Sequence, residues 1–120
     1  MPSVLIVDDD PNICFLERMV LKSANGAFTV VGEASSGEDA IRQWRDLRPD
    51  VIILDDQLPG MRGLDVARFI LVEQPGQAIV LFTGQHDPAT VAAALSLGVR
   101  ACLPKTDLRF LPAQLLSCSP

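Results

Sequence analysis

The sequence predicts a doubly wound α/β domain: a five-stranded parallel sheet in strand order 2-1-3-4-5, with helices on both faces. Two observations carry that expectation. Five short β-branched or aliphatic runs recur, at Val4–Val7, Phe28–Val31, Val51–Leu54, Ala78–Phe82 and Val99–Leu103. Segments of helical period separate them, and continuous apolar strands alternating with helices are what a sheet covered on both faces requires. Right-handed crossovers then favour the stated order. With 120 residues the chain reads as one domain, residues 1–120, long enough to bury roughly two thirds of its unfolded surface.

The helices announce themselves through their ends. Asp10 is a plausible N-cap and Pro11 a first-turn residue for the first helix, with Gly26 expected to end it. The second begins after Ser36, and Ala40, Ile41, Trp44 and Leu47 fall on one stripe while Arg42, Arg45 and Arg48 face away. Trp44 is therefore read as core. A third helix spans about Gly63 to Glu73 and stops before Pro75. The fourth spans about Pro88 to Leu97, capped by Asp87 and stopped by Gly98. The fifth is short, starting near Pro112 and running to about Ser117, because Pro112 would disrupt a helix begun at Asp107.

Composition narrows the function classes. Hydrophobic residues make up 48% and charged residues 21%, the profile of a globular chain. No apolar run approaches the ~20 residues that span a bilayer, and no signal peptide is apparent, so the cytoplasm is the expected compartment. A net charge of −5, with ten scattered Lys and Arg, argues against a nucleic-acid surface in this domain. The three cysteines, Cys14, Cys102 and Cys118, lack metal-ligand spacing and read as packed thiols.

The acids are more informative. Asp8, Asp9 and Asp10 follow the first strand, and Asp55 and Asp56 follow the third. In sheets of this order ligands bind beyond the carboxyl ends of the strands, where the first and third diverge. Thr83 ends the fourth strand and Lys105 follows the fifth, so four groups converge on one edge. Packed carboxylates repel, and a hard cation such as Mg²⁺, which takes oxygen ligands and keeps several waters, relieves them. A carboxylate can also be a nucleophile that takes a phosphoryl group. The transferred group then needs its charge neutralised by metal and by an ammonium such as that of Lys105, with Thr83 as a hydroxyl donor.

Val4-Leu5-Ile6-Val7-Asp8-Asp9-Asp10-Pro11 resembles the strand-one signature of response-regulator receiver domains, the CheY-like switches of two-component signalling. Pro49–Asp55, followed by Leu58-Pro59-Gly60-Met61-Arg62-Gly63, resembles the phospho-acceptor signature, and Ala78–Thr83 and Leu103-Pro104-Lys105 match two further blocks. Val31–Ser35 and Gly98-Val99 lean toward receivers that precede LuxR-type DNA-binding domains. The resemblance implies that Asp55 accepts a phosphoryl group from a histidine kinase or phosphotransfer protein. It implies Mg²⁺ held by Asp9, by Asp8 through water, by Asp55 and by the Gln57 main-chain carbonyl. Thr83 would move toward the phosphoryl group and Lys105 would pair with it. The domain would be an acceptor switch, not an enzyme turning over substrate. Asp10 reads as a cap, and Asp56 has no role in the pattern.

Three features depart from the family. Cys102 stands where the resemblance expects a Tyr or Phe that reads Thr movement, and the chain has no Tyr. Thr106 replaces the proline that usually follows the lysine, so the Lys105–Thr106 peptide is either trans or cis under a strain of ~3–4 kcal/mol. The last helix is short. Output is expected on the fourth helix and fifth strand, where Val91 and Leu95 share a face beside Cys102 and would support a homodimer or an effector. Lone His86 is expected to be solvated. A dehalogenase-like phosphatase fits less well because its nucleophile stands on strand one. A flavodoxin-like carrier fits less well because three aspartates would repel FMN phosphate.

Overall fold

The computed structural model describes residues 1–84 and 86–118. In chain order the elements are β1 (Ser3–Val7), α1 (Pro11–Lys22), β2 (Thr29–Ala34), α2 (Gly37–Leu47), β3 (Val51–Leu54) and α3 (Gly63–Glu73). They continue with β4 (Ala78–Thr83), α4 (Pro88–Leu97), β5 (Ala101–Pro104), a 3-10 turn (Lys105–Phe110) and α5 (Leu111–Cys118). Every strand pairing is parallel, and the sheet order is β2-β1-β3-β4-β5, as the sequence predicts.

The two-sided sheet follows from alternation within apolar runs. Leu5, Val7, Ile52, Leu54, Ile79 and Leu81 join one core with Trp44, Ile70 and Ala94, under α2, α3 and α4. Val4, Ile6, Ile53, Val80 and Phe82 join the other with Leu21, Leu111 and Leu115, under α1 and α5. Trp44 is fully buried, and its indole N–H donates to Gln77 Oε1 at 3.1 Å, so the ring costs no unpaired donor.

Several boundaries differ from the sequence reading, each for a local reason. The first helix ends at Lys22, not near Gly26. Ser23 caps it by donating its hydroxyl to the Val20 carbonyl at 2.7 Å, and Asn25 and Gly26 then turn the chain with positive φ. β2 runs past Val31 to Ala34, because pairing with β1 carries it through Gly32 after a bulge opposite Val4 and Leu5. β5 begins at Ala101, since the Val99 N–H is taken by the Ala94 carbonyl in the turn after α4. Leu47 is half-exposed at the end of α2, where it lies against Gly32 rather than inside the core. Pro112 falls in the first turn of α5, where a missing N–H costs nothing, so the helix starts at Leu111 behind the 3-10 turn. Among the described residues no peptide bond is cis, so Lys105–Thr106 is trans.

Candidate functional site

β1 and β3 are adjacent with Val7 opposite Leu54, so Asp8 and Asp55 leave the sheet side by side. Their backbones are fixed: the Asp8 N–H donates to Ala34 O at 3.0 Å and the Asp55 N–H to Val7 O at 2.9 Å. Asp8 and Asp55 are buried and Asp9 is exposed, and one ligand atom from each lies within 4.8 Å of the others. Lys105, just beyond β5, places Nζ 2.8 Å from Asp8 Oδ2 and 3.2 Å from Asp55 Oδ2. Thr83 is buried at the end of β4, opposite Pro104. The Gln57 N–H donates to Asp55 Oδ1 at 3.3 Å. The structure thus brings Asp8, Asp9, Asp55, Gln57 and Lys105 together, with Thr83 at the neighbouring strand end.

The chain passes close behind this cluster. A Cβ at Gly63 would lie 2.1 Å from the Asp55 carbonyl oxygen and 2.7 Å from Asp56 Cα, so only glycine fits there. The Asp10 side chain caps α1 by accepting from the Asn12 N–H at 2.9 Å, and the Asp10 N–H donates to Asp8 Oδ1 at 2.9 Å.

Electrostatics match the crowding. Burial pushes the Asp55 carboxyl up from its ordinary range and neighbouring Asp8 pushes it further, against the pull of Lys105 and the Gln57 N–H. Burial alone lowers the Lys105 ammonium, but its pairs with Asp8 and Asp55 outweigh that, so its net shift is upward. Three carboxylates facing one ammonium leave negative charge uncompensated. The donor set is all hard oxygen, which suits Mg²⁺ rather than a soft metal.

Sequence reasoning missed three groups. Glu17 is 1% exposed in the middle of the α1 core stripe Cys14, Glu17, Leu21, and its Oε2 has no hydrogen-bond partner. Burial, reinforced by Asp8 and Asp55, pushes its carboxyl up to about 8. The spacing of 14, 17 and 21 could have revealed it as an acid on an apolar face. Asp56 is fully buried and paired with Arg62, the third group. Cys14 carries its thiol at about 11, raised by burial and then by Glu17 and Asp8, so it is an inert thiol.

The expected output residues lie apart from this cluster. Leu95 is 51% exposed, whereas Val91 is half-buried, so the strip is less open than its spacing suggested. Both line a recess of about 430 Å³ with His86, Asp87, Pro88 and Ala92. Cys102 is half-buried against the core of α2, α3 and α4. His86 is exposed as expected, but its ring is partnered: Nε2 lies 3.0 Å from the Cys102 carbonyl oxygen. A carbonyl only accepts, so Nε2 carries the proton.

Fold and site together define a class: an α/β signalling domain with an acidic cluster and a lysine at the carboxyl edge of its sheet. The response regulator receiver domain model matches residues 4–115, and the chain belongs to that family. It is a receiver domain of the two-component response-regulator type. The DNA-binding response regulator MtrA of Mycolicibacterium smegmatis is 38% identical over 95 residues, covering 79% of this chain and 40% of MtrA. The signal receiver domain of NarL from Mycobacterium tuberculosis superposes with a TM-score of 0.90 at 31% identity, covering 98% of this chain and 94% of that one. A LuxR-family two-component response regulator from Aurantimonas gives a TM-score of 0.83 at 27% identity, covering 98% and 81%. Among the described residues no helix is long and apolar enough to cross a membrane.

Proposed function

We propose that this receiver takes a phosphoryl group onto Asp55, with Mg²⁺ held by Asp8, Asp9, Asp55 and the Gln57 main-chain carbonyl. The observation that supports it most is the Lys105 ammonium shared between Asp8 at 2.8 Å and Asp55 at 3.2 Å, beside a carboxylate cluster that lacks charge balance. Bound Mg²⁺ supplies charge neutralisation and orients phosphoryl oxygens. A carboxylate oxygen of Asp55 attacks phosphorus, the bond from phosphorus to the donor breaks, and the leaving group departs with its electron pair. From a phosphohistidine on a kinase or phosphotransfer protein, the group that leaves is an imidazole nitrogen. Lys105 exchanges its contact with Asp8 for a phosphoryl oxygen, and the Thr83 hydroxyl turns toward another. The domain is a switch that assists only its own phosphorylation and dephosphorylation.

The readout is assigned to α4 and β5. Movement of Thr83 would draw on the loop that carries His86, whose ring donates to the Cys102 carbonyl. No aromatic ring stands at Cys102, so loop and helix movement uncovers half-buried Val91 beside the already exposed Leu95, for a second copy or an effector. The chain spans 40% of the length of MtrA, and a following DNA-binding domain in the whole cytoplasmic protein is part of this reading.

Incubation with Mg²⁺ and acetyl phosphate should add one base-labile phosphoryl group, read by intact mass. Asp55→Asn should abolish it, because an amide is a poor nucleophile. Stoichiometric labelling of that variant at another aspartate would refute the assignment.

A further inference from the structure

Asp56 takes no part in the chemistry above, yet its side chain is fully buried next to the acceptor. A buried carboxylate is costly unless paired and hydrogen bonded. All of its partners lie across one turn. Oδ2 pairs with the Arg62 guanidinium, and Oδ1 accepts from the Leu64 N–H at 3.2 Å. Its main-chain carbonyl accepts from the Gly63 N–H at 2.8 Å. Residue 62, the N-cap of α3, makes no side-chain capping bond of its own, so Asp56 does that task from across the turn.

The turn between these anchors carries Gln57. Gln57, Pro59 and Gly60 are exposed, and the far end of the turn is tied down through Asp56. Its near end is held by the bond from the Gln57 N–H to Asp55. Arg62, largely exposed at its tip, lines a recess of about 500 Å³ with Asp56, Gln57 and Asp9, the exposed member of the carboxylate cluster.

We propose that Asp56 and Arg62 are positioning residues: their ion pair fixes the Gln57–Arg62 turn and so sets the geometry in which the site takes its cation. This inference rests on the reading of Asp8, Asp9, Asp55 and Gln57 as the Mg²⁺ site. It differs in sign from a simple charge effect. Removing the Arg62 cation from beside a cation site would, on charge alone, tighten Mg²⁺ binding. Loosening the turn would weaken it. A mere capping role for Asp56 would move stability and leave Mg²⁺ binding unchanged.

Mg²⁺ titration calorimetry on wild type and Arg62→Ala, with amide exchange on the Mg²⁺-free proteins, separates these. Arg62→Ala is expected to bind Mg²⁺ three- to tenfold more weakly, with faster exchange at Gly63 and Leu64. Asp56→Asn keeps an acceptor for Leu64 and tests the same pair from the other side should Arg62→Ala unfold; losing an anion weakens Mg²⁺ binding by charge alone, so the deciding readout of this variant is faster exchange at Gly63 and Leu64. Unchanged or tighter binding, or unchanged exchange, overturns the proposal. A wild-type protein that takes no Mg²⁺ overturns the site reading as well, whereas normal wild-type binding with no response to the variants overturns this inference alone.

Discussion

Two regions of the sheet, the carboxyl ends of its inner strands and its α4–β5 edge, are built on opposite terms. Around the ends of β1 and β3, four acids (Asp8, Glu17, Asp55 and Asp56) are buried, and ion pairs and backbone donors hold the neighbourhood in place. Around α4 and β5, the stretch from Pro88 to Pro104 contains one ionisable charge, Arg100, and α4 buries only Ala94. The first region is tied by ion pairs and backbone hydrogen bonds and is electrostatically loaded. The second is lightly anchored and almost neutral. Chemistry needs groups held where charge develops, and a readout needs an element that moves for little free energy.

The largest expected effect tests whether the charged side carries a stability penalty. Glu17 ordinarily titrates near 4.5, and in the folded protein near 8. Below pH 4.5 both states hold the proton and its contribution is flat. Between 4.5 and 8 the folded state retains a proton that the unfolded state releases, so stability falls as pH rises, by about 4–5 kcal/mol in all. Glu17→Leu should therefore gain stability over wild type progressively from pH 5 to pH 8.5, read by urea denaturation in EDTA. A gap that does not change with pH would show that Glu17 is solvated.

Next in size is Asp9→Ala, which removes an exposed member of the carboxylate cluster. Mg²⁺ affinity and phosphorylation should fall together by tenfold or more, while Mg²⁺-free stability rises slightly because one like charge is gone. Mg²⁺ affinity unchanged by calorimetry would place the ion elsewhere. The smallest effect on the pocket should come from the neutral side. Val91→Asp with Leu95→Asp should leave labelling at Asp55 within about twofold and abolish phosphate-dependent association. If sedimentation shows the double variant still associating on activation, the readout lies on another face.

Where chain ends are written in capping chemistry, the sequence was legible to the residue. α4 runs from Pro88 to Leu97 because the Asp87 side chain accepts from the Thr90 N–H at 2.8 Å and Gly98 takes the left-handed φ of 104°. α3 also matches its expected span, for other reasons: Asp56 caps its start from across the turn, and Pro75 follows Gln74 at its end. β2 was not legible past Val31, since Gly32 and Glu33 are strand residues only through pairing with β1. The strand-end carboxylates, Thr83 and Lys105 could be placed from pattern because strand ends and sheet order fix their proximity. Asp56 could not, because its burial depends on which neighbours close over it, and for Glu17 the only signal was its place in the 14, 17, 21 stripe. A lone glutamate in a helix reads as solvent-facing until α5 and the 3-10 turn are known to pack there.

The chain contains one histidine, His86. Its ring bond to the Cys102 carbonyl ties the loop after β4 to β5 at the position where the family's mobile aromatic is expected. One imidazole therefore yields one set of ring nitrogen resonances in uniformly ¹⁵N-enriched protein, with no assignment ambiguity and no attached probe. The hydrogen bond from Nε2–H to the Cys102 carbonyl makes that set sensitive to any movement of the loop against β5. The receiver thus carries its own spectroscopic reporter at the junction between the acidic pocket and the neutral edge of the sheet.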